Sequence, residues 1–306
     1  MDTLSSVGCK DFLPADTLEG QSLTGFCLLI TRSSSYDAIL FAIICVVYVL
    51  FNRLVLGSSI LDFIYGAKYS SMRHAEKRTF RLRHIGILAR TTSFLLILKP
   101  AFMVAFGNKE WSEPYAQGSN VLLGDAAFFS VMITAAFHLF ELVFDPSLKP
   151  LLVVHHLGSI FVIQGFLPST VSLPKAQYLE LNRALGMMNV ALYWAVLDAP
   201  LVVLSYVIAV LRSTFIQGHT NVCKLFYIGF NIAAFLTVTE IVVISYLCSQ
   251  NWNELAGFQR TTICSLQILF TIAKGWVCKS FYLSYTRQVG TLEGKASRDT
   301  AMLKPE

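Results

Sequence analysis

Seven long apolar stretches set the main limit on how this chain can fold. Each approaches or exceeds the roughly 20 residues that an α-helix needs to cross a hydrocarbon core of about 30 Å. They cover Tyr36–Gly57, Gly86–Phe106, Val121–Phe144, Leu151–Leu167, Ala184–Leu211, Leu225–Cys248 and Thr262–Tyr285. The pattern predicts an all-α fold, a polytopic membrane helical bundle of about seven transmembrane helices.

The composition agrees with lipid as the main solvent of this chain. Hydrophobic residues make up 55 % of the 306 residues and charged residues only 14 %, whereas soluble domains average about 25 % charged residues. That deficit excludes a disordered chain, a coiled coil and an ordinary cytosolic enzyme. The seven cysteines are scattered, so they indicate neither a disulfide framework nor a zinc ribbon.

The distribution of lysine and arginine predicts the orientation. With the N-terminus outside or lumenal and the C-terminus cytosolic, 14 basic residues lie on the inner side and 5 on the outer side, as the positive-inside rule requires. The domains expected are an N-terminal tail at 1–35 with a short interfacial segment, a seven-helix membrane domain at 36–285, and a cytosolic tail at 286–306. The basic run from Lys68 to Arg83 is expected to lie in a cytosolic loop against anionic headgroups. We expect a multi-pass protein of the endoplasmic reticulum or endomembrane system.

Ionisable and polar residues inside the predicted spans are the candidate functional residues. An ionised side chain at mid-bilayer costs at least ~2.5–3.5 kcal/mol on insertion scales, so such residues face the bundle interior and mark functional sites. The candidates, in chain order, are Arg90, Lys99, Asp125, His138, Glu141, Asp145, His155, His156, Gln164, Asn189, Trp194, Asp198, Asn231, Glu240, Gln267 and Lys274.

Their spacing predicts one shared site. His138 and Glu141 are three residues apart, so they share a helix face. The Asp-Pro turn after the third span makes the third and fourth helices antiparallel neighbours, which brings His155 and His156 toward that face. Asp198, near the middle of the fifth span, can approach the same group.

Structural interpretations remain open for each of these residues. His138 and Glu141 can form a hydrogen-bonded pair that closes the bundle. Consecutive histidines point about 100° apart on an α-helix, so one of His155 and His156 is expected to be central to the site. Asp198 can satisfy backbone groups freed by Pro200, and Glu240 can serve as partner to a lysine.

Several kinds of chemistry lack their motif in this sequence. It contains no GxSxG, Walker loop, GxGxxG after a strand or HExxH. It also lacks the paired aspartates with which diphosphate-ionising enzymes hold magnesium. We therefore expect no metal and no cofactor. A carboxylic acid desolvated among apolar helices remains a candidate general acid toward a neutral, hydrophobic substrate.

Residues Phe137–Phe166, FHLFELVFDPSLKPLLVVHHLGSIFVIQGF, resemble the core of the TLC domain of ceramide synthases and lipid-sensing membrane proteins. His155 and His156 match that family's histidine pair, and Glu141 is similar to its upstream acid. The likeness continues weakly to VALYWAVLDAPLVVLSYVIAVL, where Asp198 lies near the family's second acidic motif. Ceramide synthases carry two aspartates there, whereas this chain has Asp198 alone.

The length, seven spans, orientation and intramembrane acids also resemble the fungal membrane-bound meroterpenoid cyclases of the ascofuranone and macrophorin type. In that family an acid protonates a terminal epoxide or olefin of a prenylated aromatic compound, and neither metal nor diphosphate is required. This resemblance implies a terpene cyclase of secondary metabolism.

The resulting prediction is a membrane terpene cyclase that acts by acid–base chemistry. Glu141 or Asp198 is the expected proton donor, His155 or His156 the base, and His138 the residue that orients Glu141. The residues expected to bind substrate are Asn189, Trp194 and Glu240. The expected partners are a hydrophobic isoprenoid or lipid substrate and membrane lipids, with no nucleic acid. The alternatives are a TLC-type lipid acyltransferase and a non-catalytic lipid-binding or trafficking protein.

Overall fold

The structure, a computed structural model, describes residues 37–107, 109–145, 148–171, 178–214, 220–250, 252–253, 255 and 257–302. Regular secondary structure in these ranges is entirely helical, which confirms the predicted all-α class. The described helices are α1 at 37–50, continued by a π-helical turn Phe51–Val55, α2 Ser58–Tyr65, α3 Ala67–Ser70, α4 His74–Phe106, α5 Leu123–Phe144, α6 Pro150–Val171, α7 Tyr178–Thr214, α8 Thr220–Gln250 and α9 Gly257–Met302.

Six of these helices are long and apolar enough to cross a membrane. They correspond to six of the seven predicted spans and extend from Asp37–Val55 on α1 to Gly257–Gly294 on α9. The fourth predicted span lies on α6, whose described apolar stretch, Pro150–Phe161, is too short by itself for a crossing. The chain is therefore a multi-pass membrane protein by the length and composition of its helices.

Helices α4 to α9 form a closed ring. Neighbours around the ring follow the spatial order α4, α7, α8, α9, α6, α5 and back to α4, and α7 also contacts α5 and α6 across it. The Asp-Pro turn predicted that α5 and α6 are neighbours, and these two helices are in contact. Helix α1 packs on the outside of the ring, where Tyr48 donates a hydrogen bond of 3.0 Å to the carbonyl oxygen of Ile133 on α5.

Small side chains allow α4 and α5 to approach closely. The Ser93 hydroxyl lies 2.8 Å from the Ser130 hydroxyl and 2.9 Å from that of Thr134, and Ser130 donates to the Ser93 carbonyl at 2.8 Å. Compact hydroxyl residues are typical of helix contacts inside a membrane, because lipid offers no hydrophobic force to hold helices together. This contact fixes α4 and α5 as one wall of the ring.

Two polar segments outside the predicted spans are helical. The basic run was expected in a loop, but α4 begins at His74, where Glu76 caps the helix by accepting from the Arg73 backbone N–H at 2.9 Å. The predicted tail at 286–306 is helical as far as Met302, since α9 continues through it. In both segments helix-forming residues without proline extend the helix beyond the apolar stretch.

Candidate functional site

Every helix of the ring contributes a polar or ionisable side chain to its interior. Buried members of this group include Arg90 on α4, His138 and Glu141 on α5, His156 on α6, Glu240 on α8 and Lys274 on α9. Helix α7 supplies Asp198 and Tyr206, which contact members of the same group. The polar side chains of all six helices, including the predicted group on α5, α6 and α7, thus lie around one interior.

Glu141 lies between two contacts from neighbouring helices. The Tyr206 hydroxyl donates a short hydrogen bond to Oε1 of Glu141. On the other side, Nε2 of His156 lies 3.1 Å from Oε2 of Glu141. The geometry of this contact is not that of a hydrogen bond, and Oε2 accepts no hydrogen bond from the described residues. Glu141 therefore has one oxygen held by a donor and one facing an imidazole.

Both histidines of the consecutive pair face the interior, where only one had been expected to be central. The ring of His156 stacks on that of His138 at 4.3 Å between centroids. The ring of His155 lies edge-on to Phe270 of α9 at 4.7 Å. Because α6 lies between α5 and α9 in the ring, two directions about 100° apart both point inward.

His138 has a different contact from the one predicted. It was expected to orient Glu141, but its Nε2 accepts a short hydrogen bond from the Arg90 guanidinium. His138 and Glu141 lie side by side on one face of α5. The partner of each side chain comes from a neighbouring helix. Arg90 also lies 5.9 Å from the centre of the Phe137 ring.

The Lys274 ammonium group bridges two carboxylates on neighbouring helices. It lies 3.0 Å from Oδ1 of Asp198 and makes a short contact with Oε2 of Glu240. Glu240 was predicted to bind substrate, with pairing to a lysine as the alternative. In the structure it is the partner of Lys274. Asp198 is likewise ion-paired, so among the described acids it is poorly suited to donate a proton.

The remaining predicted substrate-binding residues are Trp194, whose contacts the structure describes, and Asn189. The Trp194 indole N–H donates to Oε1 of Gln267 at 2.7 Å, and the ring lies 5.3 Å from that of Phe270. The side chain of Asn189 lies outside the described residues.

Two cavities of very different size flank this group. A cavity of about 690 Å³ is lined by Glu141 and Tyr206 at its inner part and opens where α4 begins and α5 and α7 end. A second cavity of about 70 Å³ is lined by His138, His155 and Asp198 among others. The larger volume suits an organic ligand, whereas the smaller one has room for a few water molecules. His156 contacts a residue of each cavity, so it lies between them.

The charge of the interior is not balanced by side chains alone. If all three acids are ionised, Glu141, Asp198 and Glu240 carry three negative charges against the two positive charges of Arg90 and Lys274. One proton bound within this group of described residues removes the excess charge, because an unbalanced charge is costly in an interior of low polarity. The Lys274 ammonium group faces two of the acids with a single charge, and the Arg90 charge lies beside His138, which shares a helix face with Glu141.

His138, His155 and His156 are the described residues that come nearest to a metal site. Their ligand nitrogens lie within 4.8 Å of one another, and the Nδ1 atom of each has no described partner. Arg90 donates to Nε2 of His138, so neutral His138 carries its proton on Nδ1 and cannot offer that lone pair. The guanidinium also places a fixed cation against the group. As arranged, the three imidazoles do not fit an ion.

Two residues of the site, Tyr206 and Phe270, could not be recognised as site residues from the sequence. Tyr206 lies in an apolar run of α7, where a tyrosine is equally typical of a lipid interface. Phe270 is one of 23 phenylalanines, and only the packing of α9 against α6 places it beside His155.

Comparisons with protein-family models, with curated proteins and with solved structures found no match for this chain.

Proposed function

We propose that this chain is a membrane-embedded enzyme that transfers protons to and from a hydrophobic isoprenoid, a terpene cyclase of the meroterpenoid type. The observation that carries the proposal is the position of Glu141. It lines a cavity large enough for such a substrate and also contacts His156, which can return or remove a proton.

The proposed topology has seven crossings, with α6 as the fourth, the N-terminus lumenal and the C-terminus cytosolic. The excess of basic residues on one side supports this orientation, and in it the large cavity opens toward the cytosol. An endomembrane location follows from the substrate class, since a hydrophobic prenylated compound partitions into the bilayer.

The proposed reaction begins with protonated Glu141. The carboxyl group gives its proton to the epoxide oxygen, or to the terminal olefin carbon, of a prenylated phenol. The epoxide C–O bond breaks, an alkene of the chain attacks the cationic carbon, and a ring C–C bond forms. The final cation loses a proton to the Glu141 carboxylate or to His156, so the reaction is a net isomerisation.

The walls of the cavity support a cationic intermediate. Aromatic rings of Tyr206, Phe226, Trp276 and Phe281 line it, and the faces of such rings attract a cation by about 0.5–2 kcal/mol each. Tyr206 also holds one oxygen of Glu141, which leaves the other oxygen as the site of proton exchange.

A second candidate is a TLC-type lipid acyltransferase, in which His156 acts as the base toward an amine or alcohol. The contact between His156 and Glu141 favours it, because acyl-transfer sites hold a histidine base beside a further group that orients it. The ion pairs of Lys274 fit the remaining alternative, a lipid-binding or trafficking protein without catalysis.

The test uses microsomes that contain the full chain, incubated without added magnesium. One sample receives a prenylated phenol epoxide, and another receives acyl-CoA with a sphingoid base. A cyclic isomer of the epoxide supports the proposal. An N-acyl product assigns the acyltransferase instead, and inertness toward both substrates contradicts an enzyme of either kind.

The matched variants are Glu141→Gln and Glu113→Gln. The first keeps the shape of the side chain but removes the acid, and we expect turnover to fall about 10²- to 10⁴-fold, as for loss of a general acid. The second alters a partly exposed glutamate that accepts a hydrogen bond from Lys109 in the loop after α4, and we expect no loss. Unchanged turnover in Glu141→Gln rejects Glu141 as the donor.

A further inference from the structure

The mouth of the large cavity carries more positive charge than its acids neutralise. Its lining includes Arg83 of α4, Lys149 just before α6, and Arg212 near the end of α7. Asp145, which follows α5, lines the same mouth. The balance of these four groups is two positive charges, and Glu141 lies deeper, in contact with Tyr206 and His156.

The three cations are held in different ways. The Arg83 guanidinium is half-buried and donates to the Ala209 carbonyl at 3.4 Å and to the Ser213 hydroxyl at 3.3 Å. The Lys149 ammonium group lies 4.8 Å from the centre of the Trp276 ring. Arg212 is exposed, and its guanidinium has no hydrogen bond to another described residue.

Asp145 offsets one of these three cations, and the remaining positive charges repel each other unless a further anion lies between them. Arginine side chains match the geometry of carboxylate and phosphate oxygens. The first turn of α6 also lines the mouth through Leu151 and Leu152, so its positive dipole end adds to the same field.

The distance from the mouth to Glu141 is defined by α7. Six residues separate Tyr206 from Arg212, which is about 9 Å of helix rise. Along α9 the lining extends from Ala273 to Ser284, roughly 16 Å. A ligand whose head lies at Arg212 therefore has an apolar path of several bonds before it reaches Glu141.

We propose that this mouth is an oxyanion subsite, and that the ligand of the cavity is an amphiphile with a carboxylate or phosphate ester at one end. The ionised head lies among Arg83, Lys149 and Arg212, and the apolar chain extends inward toward Glu141. The catalytic use of this subsite rests on the proposed function. In that use, the reactive double bond or epoxide lies at the end of the ligand opposite its ionised head.

The experiment measures binding and needs no turnover. Full-length protein in nanodiscs of phosphatidylcholine is titrated with hexadecyl phosphate, palmitate and hexadecanol, with quenching of tryptophan fluorescence as the signal. We expect at least one of the two anions to bind about tenfold or more tightly than the alcohol, and added salt to weaken only the anion. Equal affinity of all three ligands overturns the subsite.

The variants are Arg212→Gln and Arg83→Gln, with Arg81→Gln as the matched control. Arg81 lies on α4 two residues before Arg83, about 200° around the helix, and does not line the cavity. We expect Arg212→Gln to weaken anion binding about tenfold and to leave hexadecanol unchanged. An equal loss in Arg81→Gln, or an equal loss for the alcohol, contradicts the proposal.

Two further arms identify the source of the anion and separate this inference from the proposed function. Nanodiscs that contain phosphatidylserine compete with hexadecyl phosphate if a membrane lipid occupies the mouth, and leave its binding unchanged if the mouth selects a separate substrate. Either result keeps the oxyanion subsite. Glu141→Gln is expected to bind the anion normally. Retained anion binding in this variant keeps the oxyanion subsite, whereas its turnover bears only on the proposed function.

Discussion

Tyr206 on α7 donates a hydrogen bond to Glu141 on α5, and this contact crosses the interior beside α4. The two residues are 65 positions apart in the chain, and neither apolar run indicates that they meet. Two neighbouring residues of α4 and α5, Gly86 and Phe137, confine the Tyr206 ring. The contact thus depends on the packing of three helices.

Replacing Tyr206 with phenylalanine tests the contribution of this hydrogen bond. The ring keeps its edge-on contact with Phe137 at 6.1 Å between centroids, so the helices still pack. We expect turnover to fall about 10- to 100-fold, because the hydrogen bond stabilises the carboxylate that forms as Glu141 gives up its proton, and a hydrogen bond to a charged group contributes ~1.5–3 kcal/mol. The measurement is kcat and KM for the ring-forming reaction. A change confined to KM assigns Tyr206 to substrate binding and contradicts a role on Glu141.

Replacing Gly86 with alanine tests whether close approach of α4 positions Tyr206. The added methyl group would lie 2.7 Å from Cε2 of Tyr206 and 2.9 Å from Cζ of Phe137. Phe137 is fully buried and Tyr206 can shift only by disturbing its hydrogen bond to Glu141, so we expect a destabilisation of about 1–3 kcal/mol and a loss of turnover. Thermal unfolding in detergent measures the first effect.

The control for that experiment is Gly275→Ala on α9. An added methyl group there meets no atom within 4 Å, and alanine favours a helix over glycine by about 1 kcal/mol. We expect its stability to be equal or higher. If the two alanine variants unfold at the same temperature, Gly86 has no packing role.

The helices of the ring could be predicted from the sequence, but their spatial order around the ring could not. Hydropathy located the helices because about 20 apolar residues can satisfy their backbone in lipid only as a helix. It could not reveal that α4 packs against α7, because that contact depends on side-chain shapes such as the cleft at Gly86. The shared face of His138 and Glu141 was predictable from spacing, whereas Arg90 and Tyr206 as their partners required the helix order.

Lys274→Met tests how the ion pairs contribute to stability. The variant leaves Asp198 and Glu240 without their cation, and removal of one partner of a buried ion pair costs about 3–5 kcal/mol. We expect a large fall in the unfolding temperature, whereas Lys279→Met at an exposed position of α9 has little effect. Adding Glu240→Gln to Lys274→Met removes one uncompensated charge, and we expect it to restore part of the loss. No recovery in the double variant contradicts the pairing of Lys274 with Glu240.

Treatment with a chelator tests whether the three histidines act by acid–base chemistry. Because Arg90 donates to His138 and places a cation beside the imidazoles, binding of a divalent ion there has to displace the guanidinium at a high electrostatic cost. We expect turnover to be unchanged after exhaustive treatment with EDTA and dialysis. We also expect metal analysis to find the same metal content in His155→Ala and in the variant of a partnered histidine, His84→Ala, whose ring nitrogens contact Tyr65 and the Phe80 carbonyl. Loss of turnover that added zinc restores, together with less bound metal in His155→Ala alone, would reverse the assignment and make the imidazoles metal ligands.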